Sequence, residues 1–150
     1  MYQEASSYLQ SIRAAYITIE NKKRALAQYD YMLETSGISY DPDKVSVSPK
    51  QDGLERKAIK HLETVAELRA EIAEAIAWRA TRINEATTFI SEMDSTEQRE
   101  VLMLRYIEQK SWSEILDIRG CDDISGQYQL HKRALAKFQE ILDTHSIPTT

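Results

Sequence analysis

Side chains that can hydrogen-bond to the edges of nucleobases cluster near the start of the last amphipathic run of the sequence. They are Gln127, Tyr128, Gln129, His131 and Lys132. A glutamine amide can pair bidentately with adenine, and a lysine ammonium group binds the acceptors of guanine. A helix that enters the major groove of DNA makes such contacts from its exposed N-terminal positions. Ser125 and Arg133 belong to the same run, and we expect them to lie nearer to the phosphates.

A second set of candidate contacts precedes this run. Lys110 and Ser111 open a predicted short helix, whose free N–H groups favour a bound anion such as a phosphate. Ordinary surface charge explains the same two residues equally well. Trp112 follows them, and its indole N–H could reach a backbone phosphate. We favour the alternative in which Trp112 is a core residue that packs this short helix against the next one.

Other kinds of chemistry have little support in the sequence. No histidine has a cysteine or a second histidine at metal-ligand spacing, so we expect no metal site. Glu67, Glu71 and Glu74 stand at helical spacing but lack the Glu-x-x-His pairs of a carboxylate-bound metal centre, so we predict a solvated face. A glycine-rich phosphate loop and a Ser/His/Asp set are both missing. We therefore predict a protein that is not an enzyme and that binds no cofactor.

Short predicted helices between Ser95 and Leu142 must position the candidate contacts. Ser95 can cap the first of them, and Gln98, three residues later, can complete a capping box. Ser111 and Glu114 have the same spacing and predict a second capping box at the start of the next helix. The two boxes place the helix starts just before apolar residues that can form a core.

The third helix of this unit is the long amphipathic one. Gly120 marks the end of the helix before it, because glycine adopts the left-handed conformation of a helix C-terminus at little cost. Ser125 is the predicted N-cap. The apolar residues that follow recur at helical spacing; they are Leu130, Ala134, Leu135, Phe138, Ile141 and Leu142. Short helices with a tight break before the last one are typical of a helix-turn-helix unit.

Three blocks of this unit resemble region 4 of bacterial sigma factors. They are STEQREVLMLRY from Ser95, KSWSEIL from Lys110 and LHKRAL from Leu130. Together they are more similar to the sigma-like late-gene transcription activators of phages and prophages, the ArpU/RinA type, in which a long helical N-terminal part precedes the same C-terminal unit. The resemblance implies a helix-turn-helix that binds double-stranded promoter DNA, with Arg105 near the DNA backbone. It also implies contact with host RNA polymerase, in the cytoplasm of a bacterial cell.

The charge balance supplies a competing hypothesis. The chain has a net charge of −5, and residues 95–150 contain nine acidic residues against seven Lys or Arg, a net charge of −2. A non-specific DNA binder is normally basic, because its affinity rises with each phosphate that it neutralises. The acidic balance and Gly126 favour a protein-binding module that keeps the sigma-like fold without significant DNA affinity. The cluster of Lys132, Arg133 and Lys137 instead favours DNA binding by the last helix.

Two long helices are predicted before this unit, from about residue 4 to 34 and from about 54 to 93. Each has one apolar stripe, and we expect an antiparallel hairpin in residues 1–93. Residues 94–150 would form the helix-turn-helix DNA-binding domain, so the predicted fold is all-α. The connection 36–53 contains Gly37, Pro42 and Pro49, and we predict a loop that is either mobile or functional.

The sequence also supports predictions about the oligomeric state and the cellular location of the protein. Two apolar stripes exceed what one hairpin can bury, so we expect a homodimer; a monomeric hairpin with a partly covered stripe is the alternative. The single cysteine, Cys121, excludes an intrachain disulfide. No apolar run approaches the roughly 20 residues that span a bilayer, and the N-terminus does not resemble a signal peptide. We expect a cytoplasmic protein without membrane contacts.

Overall fold

The computed structural model describes residues 2–35 and 49–145, and all regular structure in these ranges is helical. The helices are α1 Gln3–Thr35, α2 Pro49–Ser91, α3 Thr96–Leu102, α4 Trp112–Arg119 and α5 Ile124–His145. A π-helical segment, Met103–Ile107, continues α3. The described ranges contain no strand, which confirms the predicted all-α class.

The chain divides into two compact units. The first unit joins Met1–Tyr16 to Trp78–Thr150, and the second unit is Ile17–Ala77. This division differs from the boundary that we expected after residue 93. The reason is that the beginning of α1 and the end of α2 are buried in one core together with the C-terminal helices.

The core of the first unit is built from apolar residues of all five helices and of the π-helical segment. Its largest fully buried side chains are Tyr106, Phe138, Leu9, Ile12, Met93, Leu102, Ile115 and Val101. The apolar positions predicted for α5 supply part of this core, since Leu130, Ala134, Leu135 and Phe138 are all buried. The backbone N–H of Ala5 donates to Oε1 of Gln139 over 2.8 Å, so α1 and α5 are also joined by a buried hydrogen bond.

The second unit consists of stretches of α1 and α2. Nζ of Lys22 lies 2.9 Å from Oε2 of Glu71, and the rings of Tyr29 and His61 meet edge to face at 6.1 Å. Later residues of α1 therefore contact earlier residues of α2, so the two stretches run in opposite directions. The buried apolar residues of this unit are Ile19, Ala58, Val65 and Ile72. Other large apolar side chains of the unit are exposed: Ile17, Tyr31, Met32, Ile59 and Ile76.

The predicted helix starts and ends near the candidate contacts are mostly confirmed. Oγ of Ser95 accepts a hydrogen bond from the N–H of Gln98 over 3.2 Å, which confirms Ser95 as a cap and supplies one half of the predicted capping box. Ser111 and Glu114 form a complete capping box at the start of α4. Gly120 ends α4 in the left-handed conformation, with φ of 67°. These features depend on residues a few positions apart, which is why the sequence could predict them.

Two predicted helix starts are wrong. Helix α2 begins at Pro49 rather than near Leu54, because a proline in the first turn loses no helical hydrogen bond. Helix α5 begins at Ile124, and the N–H of Gln127 donates to the carbonyl of Asp123 over 3.2 Å. Ser125 thus lies in the first turn of α5 and is not its N-cap. The remaining part of the predicted loop, residues 36–48, lies outside the described residues.

The first short helix does not keep regular α-helical geometry at its end. The backbone widens into the π-helical segment, where the N–H of Glu108 donates to the carbonyl of Met103 over 2.9 Å. Gln109 then takes a left-handed conformation with φ of 63°, and the N–H of Lys110 donates to the carbonyl of Leu104 over 2.9 Å. This closure of a helix end by a left-handed residue is normally made by glycine.

Candidate nucleic-acid interface

One face of α5 lines an open depression of about 440 Å³. Four of the predicted contact residues form this wall: Ser125, Tyr128, Gln129 and Lys132. Their spacing of three, four and seven residues places them on the same side of the helix. All four are exposed, so their polar groups are available to a ligand.

Residues from three other segments complete the depression. Arg105 and Tyr106 come from the π-helical segment, Trp112 from the start of α4, and Gln10 from α1. His131 is the remaining contribution of α5. Gln10 was missed by the sequence analysis, because nothing in the local pattern of α1 indicates that it lies beside residues about a hundred positions later.

Trp112 packs among the other aromatic residues of this depression. Its ring meets Tyr128 edge to face at 5.1 Å and His131 at 4.9 Å between ring centroids. The guanidinium of Arg105 lies over the indole, 4.9 Å from its centroid, which is cation–π geometry. Trp112 is half-buried. Because its ring contacts both Arg105 and Tyr128, it helps to fix the positions of these two side chains.

His131 is partly buried where it lines the depression, and it is held there by contacts with neighbouring aromatic residues. Its Nε2 lies 2.7 Å from the hydroxyl of Tyr106, and the two rings stack at 5.6 Å. Burial lowers the pKa of His131 to about 4, and the nearby Arg105 lowers it in the same direction. Burial likewise raises the pKa of Tyr106 to about 12. Both side chains are therefore uncharged near neutral pH, and His131 adds no positive charge to the depression.

Gln127 does not belong to the interface. Its side chain is 6% exposed, so the predicted contact of its amide with a base is wrong. The physical reason is its position one turn before Leu130 and two turns before Ala134, on the face of α5 that enters the core. Its Oε1 is buried and has no hydrogen-bond partner within the described part of the chain.

Three further candidates lie outside the depression. Ser111 uses its hydroxyl and its backbone N–H in the capping box with Glu114. Nζ of Lys110 lies 3.9 Å from Oε2 of Glu114, so the same carboxylate competes with any phosphate at this helix start. Arg133 is exposed on α5 but does not line the depression.

The charges around the depression are mixed. Arg105 and Lys132 line it, and no carboxylate is among its lining residues. Burial lowers the pKa of Arg105, with a smaller contribution from Arg13. A guanidinium has so high a reference pKa that it stays charged near neutral pH. Asp122 and Asp123 are exposed in the turn just before α5 and would repel a phosphate placed there. The surface thus favours an anion on the side of Arg105 and Lys132.

Comparisons with models of known protein families, with curated proteins and with solved structures gave no match for this chain. Within residues 2–35 and 49–145, no group of three or more His, Cys, Asp or Glu side chains is placed to hold a metal ion. In the same ranges, no helix contains an apolar stretch long enough to cross a bilayer.

Proposed function

We propose that this protein is a phage-type DNA-binding transcription regulator that activates late genes through promoter DNA, host RNA polymerase or both. The observation that carries the proposal is the shared depression. It gathers exposed hydrogen-bonding side chains of α5 with Arg105 and Trp112 of the preceding elements. Of the eleven contacts expected from the sequence, seven line it: Arg105, Trp112, Ser125, Tyr128, Gln129, His131 and Lys132.

In this proposal α4, the turn after it and α5 act as a helix-turn-helix. A B-DNA major groove is about 12 Å wide and admits one helix, here α5. Gln129 and Lys132 would contact base edges, since both are exposed on the lined face of α5. Arg105 would contact a phosphate, and its guanidinium is already held over Trp112. The partners would be double-stranded promoter DNA, RNA polymerase and a second copy of the chain, in the cytoplasm of a bacterial host.

The test is a titration of labelled double-stranded DNA from the flanks of the protein's own gene, followed by fluorescence anisotropy at several salt concentrations. Lys132→Ala and Arg133→Ala should each weaken binding, and the variant that loses a phosphate contact should reduce the salt slope by about one. Gln129→Ala should change which sequence is preferred, at a cost of about 1–3 kcal/mol at one base pair. Lys60→Ala, an exposed lysine of the second unit, is the control and should bind as the wild type does. Unchanged binding after loss of both Lys132 and Arg133 would mean that α5 does not enter a groove.

A protein-binding module without significant DNA affinity is the second candidate function. It is favoured by Asp122 and Asp123, which are exposed beside the start of α5, and by the net charge of −5. This candidate predicts no anisotropy change with DNA even at low salt, where non-specific binding is strongest. It also predicts direct binding to purified RNA polymerase, measured in the absence of DNA.

A further inference from the structure

Two arginines of the long helices donate hydrogen bonds to backbone carbonyls of the π-helical segment and of the turn that joins it to α4. Nη1 of Arg13, on α1, lies 2.8 Å from the carbonyl oxygen of Arg105 and 3.3 Å from that of Lys110. Nη2 of Arg79, on α2, lies 3.1 Å from the carbonyl oxygen of Ile107. Both arginines belong to the first unit. Two helices distant in sequence thus hold the same short stretch of backbone.

The carbonyls of Arg105 and Ile107 belong to the end of the π-helical segment, where a helix leaves carbonyls without intrahelical partners. The carbonyl of Lys110 lies in the turn just before α4. Arg105 adds a fourth such hydrogen bond, because its Nη1 donates to the carbonyl of Lys110 over 3.2 Å. Hydrogen bonds from a charged donor are stronger than neutral ones. The segment has no glycine, and Gln109 is left-handed, so these arginine contacts stabilise a backbone path that is unfavourable by itself. That path fixes where Arg105 and Trp112 stand.

Gln10 lies on α1, one turn before Arg13. Its side chain is exposed and lines the same depression as the residues of α5. A glutamine amide offers both a donor and an acceptor, and it can bind a phosphate oxygen, a sugar hydroxyl or a base edge. Helix α1 therefore brings one side chain to the depression and a second side chain to the backbone that shapes it.

We infer that the beginning of α1 takes part in nucleic-acid binding, with Gln10 as a direct contact and Arg13 as a positioning residue for Arg105 and Trp112. This inference rests on the proposed function. It assigns to α1 a role beyond the assembly of the long helices, and it makes the nucleic-acid interface discontinuous in sequence. Arg79 has the same positioning role from the side of α2.

The test uses the full chain with Gln10→Ala and Arg13→Gln, titrated into a labelled double-stranded DNA of mixed sequence at several salt concentrations. Loss of one hydrogen bond by Gln10→Ala should weaken binding about threefold to tenfold. Arg13→Gln should weaken binding at least as much and leave the salt slope unchanged, because Arg13 contacts carbonyls and not phosphate. Matched controls on α1 are Gln3→Ala and Arg24→Gln, which lie away from the depression and should bind as the wild type does.

A second measurement separates a positioning role from a general loss of structure. Amide hydrogen exchange in residues 105–113 should accelerate in Arg13→Gln, while the core of the first unit keeps its protection. Arg13→Lys keeps the charge without the planar guanidinium, and it should give intermediate exchange and intermediate affinity.

The outcomes separate this inference from the proposed function. If the wild type binds DNA and Lys132→Ala binds less tightly, but Gln10→Ala and Arg13→Gln bind as the wild type does, the inference alone is overturned. A salt slope reduced by about one in Arg13→Gln would also overturn it, since Arg13 would then contact phosphate directly. A wild type that binds no DNA overturns both.

Discussion

At the scale of single residues, His131 is a titratable group of the depression that stays uncharged near neutral pH. Its ring is in contact with Tyr106 and Trp112, and its pKa is lowered by burial and then by the charge of Arg105. A protonated imidazole here would be poorly solvated and close to a guanidinium. The neutral ring instead shares a hydrogen bond of 2.7 Å with the Tyr106 hydroxyl, so the aromatic wall is stabilised when His131 is uncharged.

This arrangement predicts acid sensitivity. The imidazole of the unfolded chain takes up a proton below about pH 6.5, whereas burial keeps His131 neutral in the folded chain until about pH 4. Because the unfolded state binds more protons in this window, stability present above pH 6.5 is lost as the pH falls through it. We expect the urea midpoint of the wild type to fall with pH more steeply than that of His131→Gln, which keeps a polar partner for Tyr106.

The matched control is His145→Gln. His145 is an exposed histidine in the last turn of α5, and its side chain pairs with Glu92. It should retain the acid sensitivity that His131→Gln loses. Equal pH dependence of the wild type and of His131→Gln would show that this ring does not resist protonation in the folded chain.

Sequence reasoning at the residue scale predicted the exposure of most candidate contacts on α5 and failed for Gln127. Tyr128, Gln129 and Lys132 were expected to be exposed, and they are. Gln127 was expected beside them, but it lies one turn before Leu130 on the buried face. Extending the helical repeat of Leu130 and Ala134 back by one turn places Gln127 on the buried face, but its polar side chain led to the expectation that it is exposed.

At the scale of elements, the local capping features were predictable and the π-helical segment was not. A capping box needs only Ser111 and Glu114, and a glycine C-cap needs only Gly120. The widened turn at Met103–Ile107 is instead accompanied by contacts from distant helices, including those of Arg13 and Arg79. Such contacts cannot be recognised in the residues of the segment itself.

Two described glycines, Gly53 and Gly120, have open space around them, and we expect their replacement by alanine to change stability in opposite directions. Gly120 has φ of 67° and no atom within 4 Å of an added Cβ, so Gly120→Ala meets only backbone strain. It should lower the free energy of unfolding by about 1 kcal/mol. Gly53 lies within α2 and is equally open, so Gly53→Ala should raise that free energy by about 0.5–1 kcal/mol. Urea denaturation of both variants measures the difference, and shifts in the same direction would contradict the assignment of their backbone conformations.

At the scale of the whole molecule, the division into two compact units was the feature that sequence reasoning missed. The apolar stripes of α1 and α2 gave no reason to separate their parts, since the helical repeat continues along each helix. The two parts of each helix differ in the core in which their apolar residues are buried. Leu9 and Ala86 enter a core with the C-terminal helices, whereas Ile19 and Val65 are buried in the second unit.

The exposed apolar residues of the second unit predict self-association. Tyr31 is 65% exposed and Met32 is 48% exposed, and burying large apolar side chains stabilises an interface by about 1.5–3 kcal/mol each. We expect light scattering at tens of micromolar to give about twice the chain mass of 17.3 kDa. Replacing both residues with Glu should give the monomer, because a charge cannot be buried there without a partner.

Ile118→Glu is the control for this prediction. Ile118 is also exposed, at 52%, but it lies in the first unit, so its replacement should leave the dimer intact. A wild type with the mass of a single chain would contradict the proposed homodimer. Dissociation by Ile118→Glu but not by the Tyr31 and Met32 replacements would move the interface to the first unit.

The hydrogen bond between Ala5 and Gln139 spans 134 positions of the chain, and this has a consequence during synthesis. A ribosome that adds about 5–20 residues per second needs roughly 7–27 s to travel that distance. Throughout this interval Leu9 and Ile12 have no access to Phe138, their companion in the finished core. The beginning of α1 is thus translated early and buried late. A nascent chain that stalls within α5 would leave this stretch available to chaperones or to neighbouring nascent chains on the same messenger RNA.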